Sequence, residues 1–172
     1  YIAVGRLDPL AVAELVGGGA AGCREAGCAL VGGETAEHPG LMDPSADDMV
    51  GTSIGVVERS RVIDGTAVRR GDAILGLTAS GLHANGYSLV RSLVTSWDLD
   101  PAEPYQARLR RTMGDTAAAA AIAGEPQLAL ATLGEVLLTP TRIYARAILA
   151  LREALVDAGH DIHGLAHVTG GG

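Results

Sequence analysis

The chain has 172 residues, 48% of them hydrophobic, with 24 glycines, no phenylalanine and a formal net charge of -7. That apolar share argues against disorder and is enough for a sizeable core of Leu, Val, Ile and Ala. An acidic balance without a basic run argues against nucleic acid as the main partner, and no stretch has the uninterrupted apolar length of a membrane span.

Every basic residue is Arg, so no lysine nucleophile or phosphate-binding lysine comes from this sequence. Small anions would instead need Arg, a divalent cation or a helix N-terminus.

In chain order, Asp8-Pro9 is a helix start, an N-cap acceptor followed by proline at the first helical position. Leu10, Ala13, Val16, Ala20 and Cys23 recur at helical spacing. Gly17-Gly18-Gly19 interrupts that pattern, and close packing against another element would explain it; Gly27 closes the helix. Cys28–Val31 reads as a short strand running into the polar loop 32–40. Cys23 and Cys28 match no metal spacing and read as small apolar fillers of a reducing, cytoplasmic compartment.

Residues 41–48 read as exposed loop, and 49–58 as a strand. Ile63-Asp64-Gly65 is a turn signal, and a fresh apolar strand is expected at 73–77, so a domain boundary is expected in this region. A helix is expected over 86–97. Residues 98–132 have a different texture and read as an insertion with one or two Ala-rich helices; its arginines, Arg108, Arg110 and Arg111, suit a solvated helix face. Thr139-Pro140 starts another helix, with Ile143, Ala147, Leu151 and Leu155 on one face, ending at Gly159. Residues 162–168 alternate as a strand and lead into Thr169-Gly170-Gly171-Gly172. The order of elements is that of a mixed α/β protein.

Two segments carry candidate chemistry. In TASGLHANGYSLVR (78–91), small and polar residues join a strand to a helix N-terminus. Such a junction aims backbone N–H groups and a positive dipole end into one space, fit for phosphate or carboxylate. His83 can move a proton or donate a hydrogen bond, and Asn85 can donate and accept. The alternative is a capped loop in which Ser and Asn satisfy backbone groups. In Gly32–Gly40, Glu34, Thr35, Glu37 and His38 follow a strand end, where α/β sheets place ligands. Carboxylate oxygens there suit Mg²⁺; the alternative is an exposed turn. His160, His163 and His167 lack a Cys or acid that would complete a zinc set and read as structural. Backbone groups of 169–172 could add phosphate donors.

LVGGETAEHPG (30–40), GVVERSRVIDG (55–65), GDAILGLTASGLHANGYSLVR (71–91), LLTPTRIY (137–144) and AHVTGGG (166–172) together resemble the phosphoribosylformylglycinamidine cyclo-ligase (aminoimidazole ribonucleotide synthetase) family. They stand in the family's order across nearly the whole chain. His38 stands where the family usually has Met, and 98–132 is longer than the family pattern. The family's N-terminal third and the second half of its second domain have no counterpart, so this stretch alone is expected to be inactive.

The resemblance implies two α/β domains: 1–66 as the end of an ATP-binding, dimer-forming domain and 67–172 as the start of a second, with its insertion. It implies a cytoplasmic homodimer using ATP and Mg²⁺ to close the imidazole ring of formylglycinamidine ribonucleotide, with no nucleic-acid or membrane partner. By motif match, Gly32, Gly33, Glu34 and Thr35 would bind the nucleotide, with Glu34 also at the metal. Ser80, Gly81, Asn85 and Gly86 would bind substrate, and His83 and Glu34 would be catalytic. The alternatives are another ATP-using member of the superfamily (selenophosphate synthetase, thiamine-monophosphate kinase or formylglycinamidine ribonucleotide synthetase) and a non-catalytic dimerisation module.

Overall fold

A computed structural model describes residues 1–169. The chain divides into two compact units: Tyr1–Arg70 with Ile143–Leu165, and Gly71–Arg142 with the segment from Ala166 onward. The glycines expected to offer phosphate donors at 170–172 lie outside the described residues.

The first unit is built on β1 (Ile2–Val4), α1 (Pro9–Ala26), β2 (Thr35–Glu37) and β3 (Asp47–Met49). The sheet order is β2-β1-β3, with β1 parallel to β2 and antiparallel to β3. A parallel pair needs a crossover, and α1 supplies it. Ile2 and Val4, on the same side of the central strand, are its buried side chains, at 6% and 5% exposure.

Helix α1 starts as the sequence indicates. Asp8 accepts hydrogen bonds from Leu10 N (2.9 Å) and Ala11 N (3.4 Å), and Pro9 is the first helical residue. Gly27 ends it in the left-handed conformation, φ 80° and ψ 27°. A side chain there would also meet Arg146 Nε at 2.9 Å.

The helix runs unbroken through Gly17–Gly19, and a Cβ at any of the three would meet nothing within 4 Å. The expected close packing is therefore absent among the described residues. Close approach occurs instead at Gly5, where a Cβ would stand 1.8 Å from the Asp43 carbonyl oxygen. Cys28 is exposed and Cys23 half-buried, which corrects the reading of Cys28 as core filler.

Strand positions differ from expectation because partners, not propensity, decide them. β2 forms inside the expected loop, since Ile2 and Val4 lie in register with Thr35 and Glu37. β3 forms at 47–49 for the same reason, with Ile2 opposite Met49. The expected strands at 28–31, 73–77 and 162–168 form no ladder among the described residues, and the one expected at 49–58 pairs only at Met49, the end of β3. Their apolar side chains stay open: Ile54 is 92%, Val56 100% and Ile74 96% exposed.

Helix α6 (Ala145–Asp157) closes this unit against α1. Arg146 Nη2 donates to the Arg24 carbonyl at 2.9 Å, and Arg152 pairs with Asp161.

The second unit holds α2 (Tyr87–Ser96), α3 (Tyr105–Met113), α4 (Asp115–Gly124) and α5 (Leu133–Leu137). The 98–132 segment does form two helices, α3 and α4, which pack together around the fully buried Ala118. Its arginines are engaged: Arg108 and Arg111 both bind the Glu103 carboxylate, and Arg110 lies 3.8 Å from Asp115. Burial works to raise the Glu103 pKa, but the bonds from Arg111 and Arg108 outweigh it and hold the carboxyl below its ordinary value. A capping box at Thr132 and Glu135 starts α5, whose Leu133 is buried. The mixed α/β class expected from the sequence holds, with six α-helices and one small mixed sheet among the described residues.

Candidate functional site

In the second unit, the loop before α2 is organised around one atom, Nε2 of His83. Ser80 N donates to it at 3.1 Å and Arg142 N at 3.4 Å. Two backbone N–H groups aimed at Nε2 make it the acceptor, so in the neutral ring the proton sits on Nδ1. The Ser80 hydroxyl, 3.1 Å from the same nitrogen, donates to the Pro140 carbonyl at 2.7 Å. His83 has φ 56°, a left-handed backbone that costs a non-glycine residue about 1 kcal/mol or more. These bonds hold it there.

Arg142 extends the arrangement. Its Nη1 donates to the Thr78 carbonyl (2.9 Å) and to Thr78 Oγ1 (2.8 Å). This corrects the helix expected from Thr139-Pro140. Pro140 offers no N–H, its carbonyl is taken by Ser80, and Arg142 is turned toward His83 and Thr78. Residues 139–142 therefore stay outside any helix and α6 begins only at Ala145.

Helix α2 is capped by Gly86 (φ 79°, ψ 12°) with no side-chain hydrogen bond to its first turn. The Ser80 hydroxyl satisfies a backbone group elsewhere, the Pro140 carbonyl, while Asn85 and Gly86 are exposed at the helix entrance. Tyr87 ties the first turn of α2 to α5 by donating its hydroxyl proton to the Leu137 carbonyl. The result is a helix N-terminus without a side-chain cap, preceded by a loop in which His83 and Arg142 are joined by hydrogen bonds; a free helix N-terminus suits an anion or a polarised carbonyl oxygen.

In the first unit, hydrogen bonding separates the four candidates of the 32–40 loop into two kinds. Glu37 Oε1 accepts from Leu7 N at 2.8 Å, and His38 Nε2 lies 3.2 Å from the Tyr1 hydroxyl. These two side chains are occupied with the fold. The Glu34 carboxylate and the Thr35 hydroxyl have no side-chain hydrogen-bond partner among the described residues and face solvent. Their backbones are fixed: Ile2 N donates to the Glu34 carbonyl at 2.9 Å, and Thr35 pairs with Ile2. Gly32 and Gly33 precede them with open space on every side a Cβ would occupy. A rigid backbone carrying an uncommitted carboxylate and hydroxyl, next to two glycines, suits phosphate and hard-cation chemistry.

No group of three His, Cys, Asp or Glu side chains gathers as a metal set among the described residues, the three C-terminal histidines included. Glu34 would thus meet a cation singly within this unit. Arg142, Thr78 and Tyr87 are the residues that the motif reading passed over. TPTRIY was visible as a helix start and as part of the family resemblance, but no site role was given to its arginine.

The AIR synthase related protein family matches in two pieces: its N-terminal domain over residues 1–57 and its C-terminal domain over residues 69–172. The chain belongs to that family. It is 47% identical over its whole length to the phosphoribosylformylglycinamidine cyclo-ligase of Gloeobacter violaceus, 46% to that of Sorangium cellulosum and 44% to that of Carboxydothermus hydrogenoformans. The chain spans 44%, 43% and 43% of these relatives, less than half of each.

Proposed function

We propose that this chain is the central stretch of an ATP-dependent cyclo-ligase that converts formylglycinamidine ribonucleotide to aminoimidazole ribonucleotide, releasing ADP and phosphate. The observation that carries the reading is the unbroken match: the whole chain aligns with cyclo-ligases at up to 47% identity. The pattern of engaged and uncommitted side chains supports it.

The chemistry places two demands on the protein. The amide oxygen must be activated by phosphoryl transfer, and a neighbouring nitrogen must then attack the carbon as phosphate leaves. Glu34 and Thr35 stand on the nucleotide side, with Gly32 and Gly33 letting phosphates approach the backbone. Glu34 also contributes a ligand to Mg²⁺. A single carboxylate fits Mg²⁺, which takes one or two protein oxygens and completes its shell with phosphates and water. Bound there, the ion offsets phosphate charge.

Ser80, Gly81, Asn85 and Gly86 shape the substrate side at the α2 N-terminus. His83 presents a proton on Nδ1, able to steady charge on the activated oxygen or to pass a proton. Arg142 holds the histidine's loop and adds fixed positive charge.

The same reading includes a homodimer in the cytoplasm. It is supported by the uncovered apolar run at 50–57, where Val50 is 56%, Ile54 92% and Val56 100% exposed. No helix among the described residues is long and apolar enough to cross a membrane.

The test is release of ADP from ATP by the full-length protein that carries this chain, with and without formylglycinamidine ribonucleotide. Release that depends on this ribonucleotide and yields the aminoimidazole product supports the reading. Release stimulated by selenide or thiamine monophosphate instead, or no release by folded protein, overturns it.

A further inference from the structure

The end of α1 brings together the two cysteines of the sequence. Gly27 N donates to the Cys23 carbonyl at 2.9 Å, and Cys28 N donates to the same oxygen at 3.0 Å. With Gly27 left-handed, this is the six-to-one link of a Schellman-type cap. Its hallmark is contact between the side chain of the last turn and that of the first residue past the glycine. Here both are thiols.

The 3.0 Å bond also limits the backbone distance. Adding one N–Cα bond on one side and the Cα-to-oxygen path on the other gives a Cα–Cα separation of at most about 6.9 Å. That bound lies under the roughly 7 Å beyond which two cysteines cannot be bridged without moving the backbone. The Cys28 thiol beside it and, to a lesser extent, burial push the Cys23 thiol pKa up. Cys28 is exposed and Cys23 half-buried, so a reagent reaches Cys28 first. The cap itself is held from outside α1 by Arg146, whose Nη2 donates to the Arg24 carbonyl at 2.9 Å.

We infer that Cys23 and Cys28 form a dithiol modification site that closes to an intrachain disulfide by exchange with a small-molecule disulfide of the glutathione class. The Cys28 thiolate attacks one sulfur of the reagent, forming a mixed disulfide and expelling one thiolate. Cys23 loses its proton to solvent and attacks the Cys28 sulfur, closing the ring and expelling the second thiolate. Two protein thiols are oxidised and one small disulfide is reduced to two thiols. The bridge fixes the point where the chain leaves α1. Because β2 fixes Thr35, oxidation pins both ends of the segment that carries Gly32, Gly33 and Glu34.

The experiment uses the full-length protein that carries this chain and is read at these two cysteines. The reduced protein is incubated with glutathione disulfide, quenched in acid, alkylated and weighed intact, then digested with trypsin. Cleavage after Arg24 separates the cysteines into peptides 7–24 and 25–59, so a bridge is read as these two peptides covalently joined.

At these two cysteines the expected product is two hydrogens lighter than the reduced chain, takes up no alkylating agent and yields the joined peptides. Cys23→Ser is expected to stop at a stable glutathione adduct on Cys28. Denaturation in urea should slow ring closure roughly tenfold, as the positioning by the cap is lost. A lasting adduct on the unaltered chain, covalent dimers, two thiols still open to alkylation, or closure equally fast in urea would each overturn the inference.

Discussion

Ser80 N points at Nε2 of His83 from 3.1 Å, and the Ser80 hydroxyl is held by the Pro140 carbonyl at 2.7 Å. The histidine's ring is thereby set by a residue three positions earlier, and its proton is directed to Nδ1. Replacing His83 by Ala in the full-length enzyme should lower turnover by about 10²- to 10⁴-fold, the range for a lost acid–base group. Ser80→Ala should cost less and act through the ring's orientation. Steady-state turnover beside a circular-dichroism check of folding reads this; near-normal turnover of folded His83→Ala removes the histidine from the chemistry.

Arg142 acts at the same loop through Thr78. Lysine keeps the charge but lacks the planar guanidinium whose Nη1 donates to both the Thr78 carbonyl and hydroxyl. Arg142→Lys should retain substrate affinity better than Arg142→Gln, while both lower turnover about tenfold or more. Comparing KM and kcat for the pair separates charge from positioning.

Glu34 and Glu37, three residues apart, should behave oppositely. Glu34→Gln is expected to leave stability unchanged, since its carboxylate has no side-chain partner among the described residues, and to weaken ATP use. Glu37→Ala removes the acceptor of the Leu7 N–H bond and should cost about 1 kcal/mol of stability. Urea melts and ATP titrations of both variants distinguish the two roles.

Asp161 receives both Arg152 nitrogens at 2.9 Å. The hydrogen bond from Arg152, then that from Ile162 N–H, lowers the Asp161 pKa to about 2 against opposing burial. The folded pKa is depressed, so the stabilisation is complete above the unfolded value of about 3.9. It fades as pH falls from there through about 2. At 42% exposure the carboxylate is screened, so added salt should shrink the effect. Carboxyl NMR shifts and amide exchange near the end of α6 follow it, and Asp161→Asn should remove the pH dependence in that window.

Gly5 and Gly18 test backbone packing in opposite senses. Gly5→Ala would drive a methyl into the Asp43 carbonyl oxygen 1.8 Å away and should destabilise the sheet by about 2 kcal/mol or more. Gly18→Ala meets nothing within 4 Å and should stabilise α1 by up to about 1 kcal/mol. Thermal melts of the two variants moving apart is the expected result.

What was legible in the sequence is what neighbours along the chain decide. The cap at Asp8-Pro9, the stop at Gly27, helix α2 and the two helices of 98–132 follow from local capping, period and propensity, so they formed where expected. The motifs were legible too, because each is a run of residues adjacent in the sequence. β1 was not, because three residues are too short for a period to show.

The tertiary structure alone decided which segments become strands: 35–37 and 47–49 pair because Ile2 and Val4 lie beside them, while 73–77 and the rest of the expected strand 49–58 beyond Met49 find no ladder among the described residues. It also decided which side chains are free. Glu34 and Glu37 are chemically identical in the sequence. Only the Leu7 N–H, thirty residues away, commits one to the fold and leaves the other open. Arg142 belongs with His83 for the same reason: hydrogen-bond partners distant along the chain are set by packing, which no local pattern encodes.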